Sequence, residues 1–107
     1  MAKISTRDGN AIATALANRE AFQTHGSLSG APGKVDYLGR LPKEYSDRYN
    51  SATVAYTVLS YLTPIAWFEP YAGEWIVPAT KYSVTTSHHQ GTVSYAIRLT
   101  GEGERSE

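Results

Sequence analysis

Apolar residues recur along this chain in two rhythms, and the switches between them mark out its elements. Behind Asp8, whose carboxylate can accept from the free N–H groups of a first helical turn, Ile12, Ala15, Leu16, Arg19 and Phe22 fall at helical spacing. Gly9 weakens that start. From Phe22 the period shortens to two, through Thr24, Gly26, Leu28 and Gly30. The helix is therefore expected to stop at about Asn18 or Glu20, with a short extended segment or bent hairpin after it. The run GAPGK, Gly30 to Lys34, reads as a flexible connector. Pro42 then opens a second helix, PKEYSDRYNS, with Leu41, Tyr45 and Tyr49 turned inward and Lys43, Glu44, Asp47 and Arg48 toward water.

Ala52 to Leu62 alternates Val54, Tyr56, Val58 and Ser60 against Ala55, Thr57, Leu59 and Tyr61, which predicts a strand covered on both faces. Proline cannot donate to a ladder, so Thr63-Pro64 must bulge or begin a new strand. IAWF and WIV flank a PYAG turn and form a hairpin that ends at Pro78, with Trp67 and Trp75 expected to pair across it. The last stretch supports two readings. Val93, Tyr95, Ile97 and Leu99 alternate as in a strand, while Ser87 with Gln90 three residues later has the form of a capping box. Gly91 and the β-branched Thr92 and Val93 favour a short turn followed by a strand.

The elements add up to an α+β fold: a small antiparallel sheet, hairpin or meander, with one or two helices packed on one face. At 107 residues there is room for one domain, placed at residues 1–100. GEGERSE trades apolar residues for charge and glycine, so residues 101–107 are expected to form a flexible tail. Between positions 49 and 97 only Glu69, Glu74 and Lys81 are charged, and this half should supply the sheet and most of the core. Ten basic and ten acidic residues cancel, so no global field draws in nucleic acid or an anionic membrane. The absence of cysteine excludes disulfides, thiolate nucleophiles and cysteine metal sites. No run approaches the length that spans a bilayer, and the start lacks an apolar signal core, which makes the cytoplasm the expected location.

Candidate chemistry gathers after the hairpin. Tyr82, Ser83, Thr85, Thr86, Ser87, His88, His89 and Gln90 crowd hydrogen-bonding side chains into one stretch, read as a loop lip, and Tyr61 is a candidate neighbour. Serine and threonine are also the ordinary residues of caps and turns, which supplies a purely structural account. Adjacent histidines point opposite ways in a strand and His25 lies far off, so no metal or other cofactor is expected. Acid–base chemistry would join His88 or His89 to Ser87, Thr86 or Tyr82, with Glu69, Glu74 or a residue from the first half of the chain orienting the imidazole. No G-x-S-x-G motif is present, and Gly33-Lys34 lacks the hydroxyl residue a phosphate loop requires.

At TPIAW, WIVP and KYSVTTSHHQ the chain resembles a family of small uncharacterised proteins encoded by phages of actinobacteria and by some bacterial and archaeal genomes. The pattern falls on Ser60, Tyr61, Thr63 to Trp67, Trp75, Tyr82, Ser83, Thr85, Thr86, Ser87, His89 and Gln90, and REAFQTHGSLSG and GRLPKEY share the likeness. The resemblance implies a small α+β domain and an accessory protein that engages a host factor inside an infected bacterium. It favours His89 over His88, where relatives carry a basic residue. It brings no activity. The expected function is thus a noncatalytic module that binds a host protein; a small hydrolase or nuclease using His89, and a single-stranded nucleic-acid binder, are the alternatives.

Overall fold

The computed structural model describes residues 3–106; Met1, Ala2 and Glu107, the last residue of the expected tail, lie outside them. Seven strands form one open sheet in chain order: β1 (Lys3–Ile4), β2 (Phe22–Thr24), β3 (Leu28–Pro32), β4 (Tyr56–Ser60), β5 (Thr63–Glu69), β6 (Glu74–Val77) and β7 (Gly103–Ser106). Neighbours from β2 to β6 run antiparallel, and the two outer pairs, β1 with β2 and β6 with β7, run parallel. A parallel pair needs a crossover, and here helices α1 (Gly9–Asn18) and α3 (Val84–Thr100) provide them. The α+β class with its antiparallel sheet is the one the residue pattern predicts.

Alternate strand residues face opposite ways, and each face has its own core. Tyr56, Val58, Ala66, Phe68, Trp75 and Val77 meet Ile12 and Leu16 of α1 and Val93, Ala96 and Ile97 of α3. Trp67 and Ile76 point to the other side, where Tyr49 of α2 (Lys43–Ser51), Leu41 and Val54 cover them. A third helix and a second covered face thus join the expected architecture. The tryptophans do not pair across the hairpin: Phe68 lies opposite Trp75 and Trp67 opposite Ile76, and an offset of one residue sends the two indoles to different cores.

Asp8 caps α1 through a 3.0 Å bond from Ala11 N–H, and Gly9 has no room for a side chain because the Tyr95 ring occupies it. The expected connector at Gly30 is instead strand as far as Pro32. Gly30 is crossed by the Phe22 ring and the Tyr56 hydroxyl, so only glycine fits the ladder there.

Two larger corrections concern the C-terminal third. Residues expected to turn and then extend form the 17-residue helix α3, capped not at Ser87 but at Ser83, whose Oγ accepts from Thr86 N–H at 3.1 Å. Residues 103–106, expected in the tail, pair with β6 from Glu74↔Gly103 to Val77↔Ser106. Glu102 fastens this return. It forms a bidentate pair with Arg19 at 2.6 and 3.0 Å and accepts from Trp75 Nε1 at 3.2 Å, while the Arg19 guanidinium lies 4.0 Å from the Phe68 ring centroid.

Candidate functional site

β4 and β5 are joined by a two-residue turn, Tyr61-Leu62, between the paired residues Ser60 and Thr63. Turns of this length match the twist of the strands when both central residues take positive φ, a conformation that suits asparagine and glycine. Here tyrosine and leucine adopt it, with φ of 50° and 66°. A register shift beside Val58 and Leu59 brings Pro64 opposite Leu59, beyond the residues that β6 pairs, so its missing N–H breaks no bond there.

The first two turns of α3 pack against this end of the sheet and close a chain of hydroxyls. Ser83 Oγ donates to Thr86 Oγ1 at 3.2 Å, Thr86 Oγ1 lies 3.1 Å from Ser60 Oγ, and Ser60 Oγ lies 2.7 Å from His89 Nδ1. Run in one direction from Ser83, the chain ends on an accepting Nδ1 and places the imidazole proton on Nε2. Ser60, Thr86 and His89 are all buried, and the Tyr61 ring stacks over His89 with centroids 6.2 Å apart. Burial holds the His89 imidazole below its usual range, and His88 adds to the effect. A neutral ring suits its role as acceptor.

Two clefts open on either side of this chain. The first, of about 390 Å³, lies among Tyr61, Thr63, Tyr82 and the start of α3, with Arg40 at its rim. A cleft of that size seats one or two side chains of a partner. Arg40 is delivered by a loop whose Gly39 (φ 56°) lies against the turn: a β-carbon there would overlap Thr63 Oγ1 and stand 2.9 Å from Leu62 O. Arg40 N–H donates to Thr63 Oγ1 at 2.9 Å, and its guanidinium sits 5.8 Å from the Tyr82 ring centroid. The Tyr82 hydroxyl is buried with no hydrogen-bond partner. Burial raises its pKa against the opposing pull of Thr80 and Arg40. The second cleft, of about 600 Å³, is lined by Thr6, Arg7, His88, His89 and Thr92 and shares Thr85 with the first.

The predicted residues are therefore not one lip. Tyr61, Tyr82, Ser83, Thr85 and Thr86 line the first cleft, while His88 and His89 face the second. Ser87 and Gln90 lie on another side of the helix, beside Lys81 and Ser94, where Gln90 Nε2 donates to Thr80 O at 2.9 Å. Helical spacing does the dividing: about 100° per residue spreads the six that α3 carries, Thr85 to Gln90, around the whole axis. Neither proposed orienting carboxylate reaches His89, for Glu69 binds Arg48 and Trp67 Nε1, and Glu74 binds Arg105. Among the described residues no group of three or more His, Asp or Glu is placed to hold a metal ion, and no helix is long and apolar enough to cross a membrane.

Arg40, Arg7, Thr6 and Thr92 are cleft residues that the sequence did not single out, and Ser60 and Thr63 entered only through the family pattern. Arg40 comes from a loop with no periodic signal; Ser60 had one, since its place in the alternation of β4 marked a small hydroxyl on a buried face. Comparison with curated proteins and with solved structures returns no match. One family does match, over residues 10–106, and the chain belongs to it: a family of unknown function (DUF8033).

Proposed function

We propose that this protein is a noncatalytic binding module whose contact surface is the first cleft and its rim. The carrying observation is the turn. Tyr61 and Leu62 hold a backbone conformation that costs about 1–2 kcal/mol per residue, yet they remain 56% and 63% exposed. More than half of each side chain is left in solvent, and strained positions collect at functional sites. Tyr37, two residues before Gly39, and Val84, next to Ser83, are also large apolar side chains open to solvent. An exposed tyrosine and an arginine beside a small concavity are what protein-binding surfaces are enriched in. The likeness to phage-encoded chains makes a bacterial host factor the partner class to test first.

A photo-crosslinking amino acid at position 61, compared with the same probe at Tyr71, tests this. Tyr71 is 91% exposed on the β5–β6 turn, at the other end of the hairpin. In lysate of the producing cell, a discrete adduct is expected from position 61 and none from position 71. Equal labelling at both, or none at either, would overturn the proposal.

The Ser60–His89 pair supports a second reading, hydrolysis with Ser60 as the hydroxyl. Among the described residues no carboxylate orients the imidazole, and Ser60 is 1% exposed and also bonded to Thr86 Oγ1. Turnover of an ester, nucleotide or nucleic acid that is lost in His89→Ala would favour this reading over the first.

A further inference from the structure

The charges around the two clefts carry the binding reading one step further, to the chemistry of what binds. The chain has ten acidic residues to balance its ten basic ones, yet none of the residues lining either cleft is acidic. Arg40 rims the first and Arg7 the second, and the clefts meet at Thr85. Among the described residues no carboxylate pairs with either arginine, as with Lys3, Lys34, Lys81 and Arg98, whereas Arg19, Lys43, Arg48 and Arg105 have acidic partners; Arg7 and Arg40 differ from the other arginine and lysines in lining these two clefts. The acid next to Arg7 in sequence, Asp8, is occupied in capping Ala11 N–H. The first cleft also presents the Tyr82 ring, 5.8 Å from the Arg40 guanidinium, as an apolar wall beside that cation.

We infer that the paired clefts recognise an acidic peptide segment, with a carboxylate held by Arg40 and a second acidic side chain directed toward Arg7. This rests on the binding-module proposal and names its ligand class. Apolar residues flanking the acid would lie on Tyr61, which lines the first cleft, and on the exposed Leu62 and Val84, its chain neighbour and that of Ser83. A nucleic-acid backbone fits less well. The chain has no net positive charge, and two separated guanidinium groups neutralise few phosphates.

The test uses the full chain, labelled with nitrogen-15, and an N-acetylated, C-terminally amidated peptide of about eight residues, extended enough at about 3.3 Å per residue to cross both clefts. The peptide carries two glutamates separated by one residue and flanked by leucines. Saturable amide shifts confined to Arg40, Tyr61, Thr63, Thr85 and His88 are expected. The isosteric glutamine peptide should give none, and raising salt from about 0.05 to about 0.5 M should weaken binding as screening increases. Arg40→Gln, an exposed position whose unchanged spectrum will report an intact fold, should weaken affinity by about tenfold or more. Arg98→Gln, on an exposed part of α3, should leave it unchanged. A version with a free C-terminus and no glutamates tells a terminal carboxylate from a side-chain one; shifts at Arg40 from either keep the inference. It is overturned if the glutamine peptide binds equally, if no peptide shifts these amides, or if inorganic phosphate or an oligothymidine does so while the acidic peptide does not. An adduct at position 61 together with failure of every acidic peptide would leave the binding module standing and remove only its ligand class.

Discussion

Replacing Tyr61-Leu62 by Asn-Gly separates strain from packing at the turn. Both native residues carry left-handed φ, and the replacements are those that a two-residue turn with two positive φ values prefers. Relief should amount to about 1–2 kcal/mol at position 62 and about 1 kcal/mol at 61, where asparagine tolerates the conformation better than tyrosine. Against this stand three losses. Tyr61 is a little under half buried and stacks on His89, which together are worth about 1 kcal/mol. Leu62 is about one third buried and contributes about 0.7 kcal/mol. Glycine adds freedom to the unfolded chain, at about 0.5 kcal/mol. Gain and loss nearly cancel, so the double variant should unfold within about 1 kcal/mol of the native protein, and the adduct formed by a photo-crosslinking residue placed at Val84 should vanish. Urea denaturation followed by tryptophan fluorescence reads the first, since Trp67 and Trp75 are fully buried, one in each core. A loss above about 2 kcal/mol would mean that the side chains are held by packing and that the turn stores no strain for function.

Other perturbations probe the supports of the site. Gly39→Ala places a methyl group on Thr63 Oγ1 at a positive φ, and should destabilise by about 1–3 kcal/mol while shifting the Arg40 amide; a wild-type melting curve would refute the contact. Glu102→Ala strands Arg19 and Trp75 Nε1 in a half-buried setting and should lower stability by about 2 kcal/mol in urea, against no change if the residues after α3 were a loose tail. Because the folded His89 resists protonation, the unfolded chain binds that proton more readily. Its contribution is complete above about pH 6.5 and declines as pH drops from there toward the lowered folded value. Melting temperatures through that window should fall for the native protein and flatten in His89→Asn; equal slopes would refute the assignment. Glu69 and Glu102 act lower. Burial opposes the charge of Glu69 but its bonds from Arg48 and Trp67 outweigh it, and the Arg19 bond depresses Glu102, so what they contribute is present above about pH 4.5 and lost as pH falls through their depressed values.

The elements whose signal is local were readable in order along the chain. The Asp8 cap, the stop before Phe22, the Pro42 helix and the hairpin around PYAG each depend on a few adjacent residues, and folding kept them. The end of the chain went the other way because its two periodicities coincide. Val93 and Ile97 belong to a strand face and to a helix stripe alike, and what separates the readings is whether Tyr95 and Leu99 or Thr86, His89 and Ala96 are buried with them. The sheet face above Trp75 needed a cover the width of a helix, so Ala96 is sealed while Tyr95 and Leu99 stay 48% and 47% exposed.

Sequence alone determined the composition of the site: a dense supply of hydroxyls and imidazoles, a tyrosine at the turn, and no cysteine. Their division into a buried hydrogen-bonded chain and two clefts is a property of the helix that carries them and of the strand end it meets. Arg40 and Ser60 join that site across 46 and 29 residues of chain, from Thr86 and His89 respectively. Contacts at such separations are chosen by the packing of whole elements, and no local pattern of residues records them.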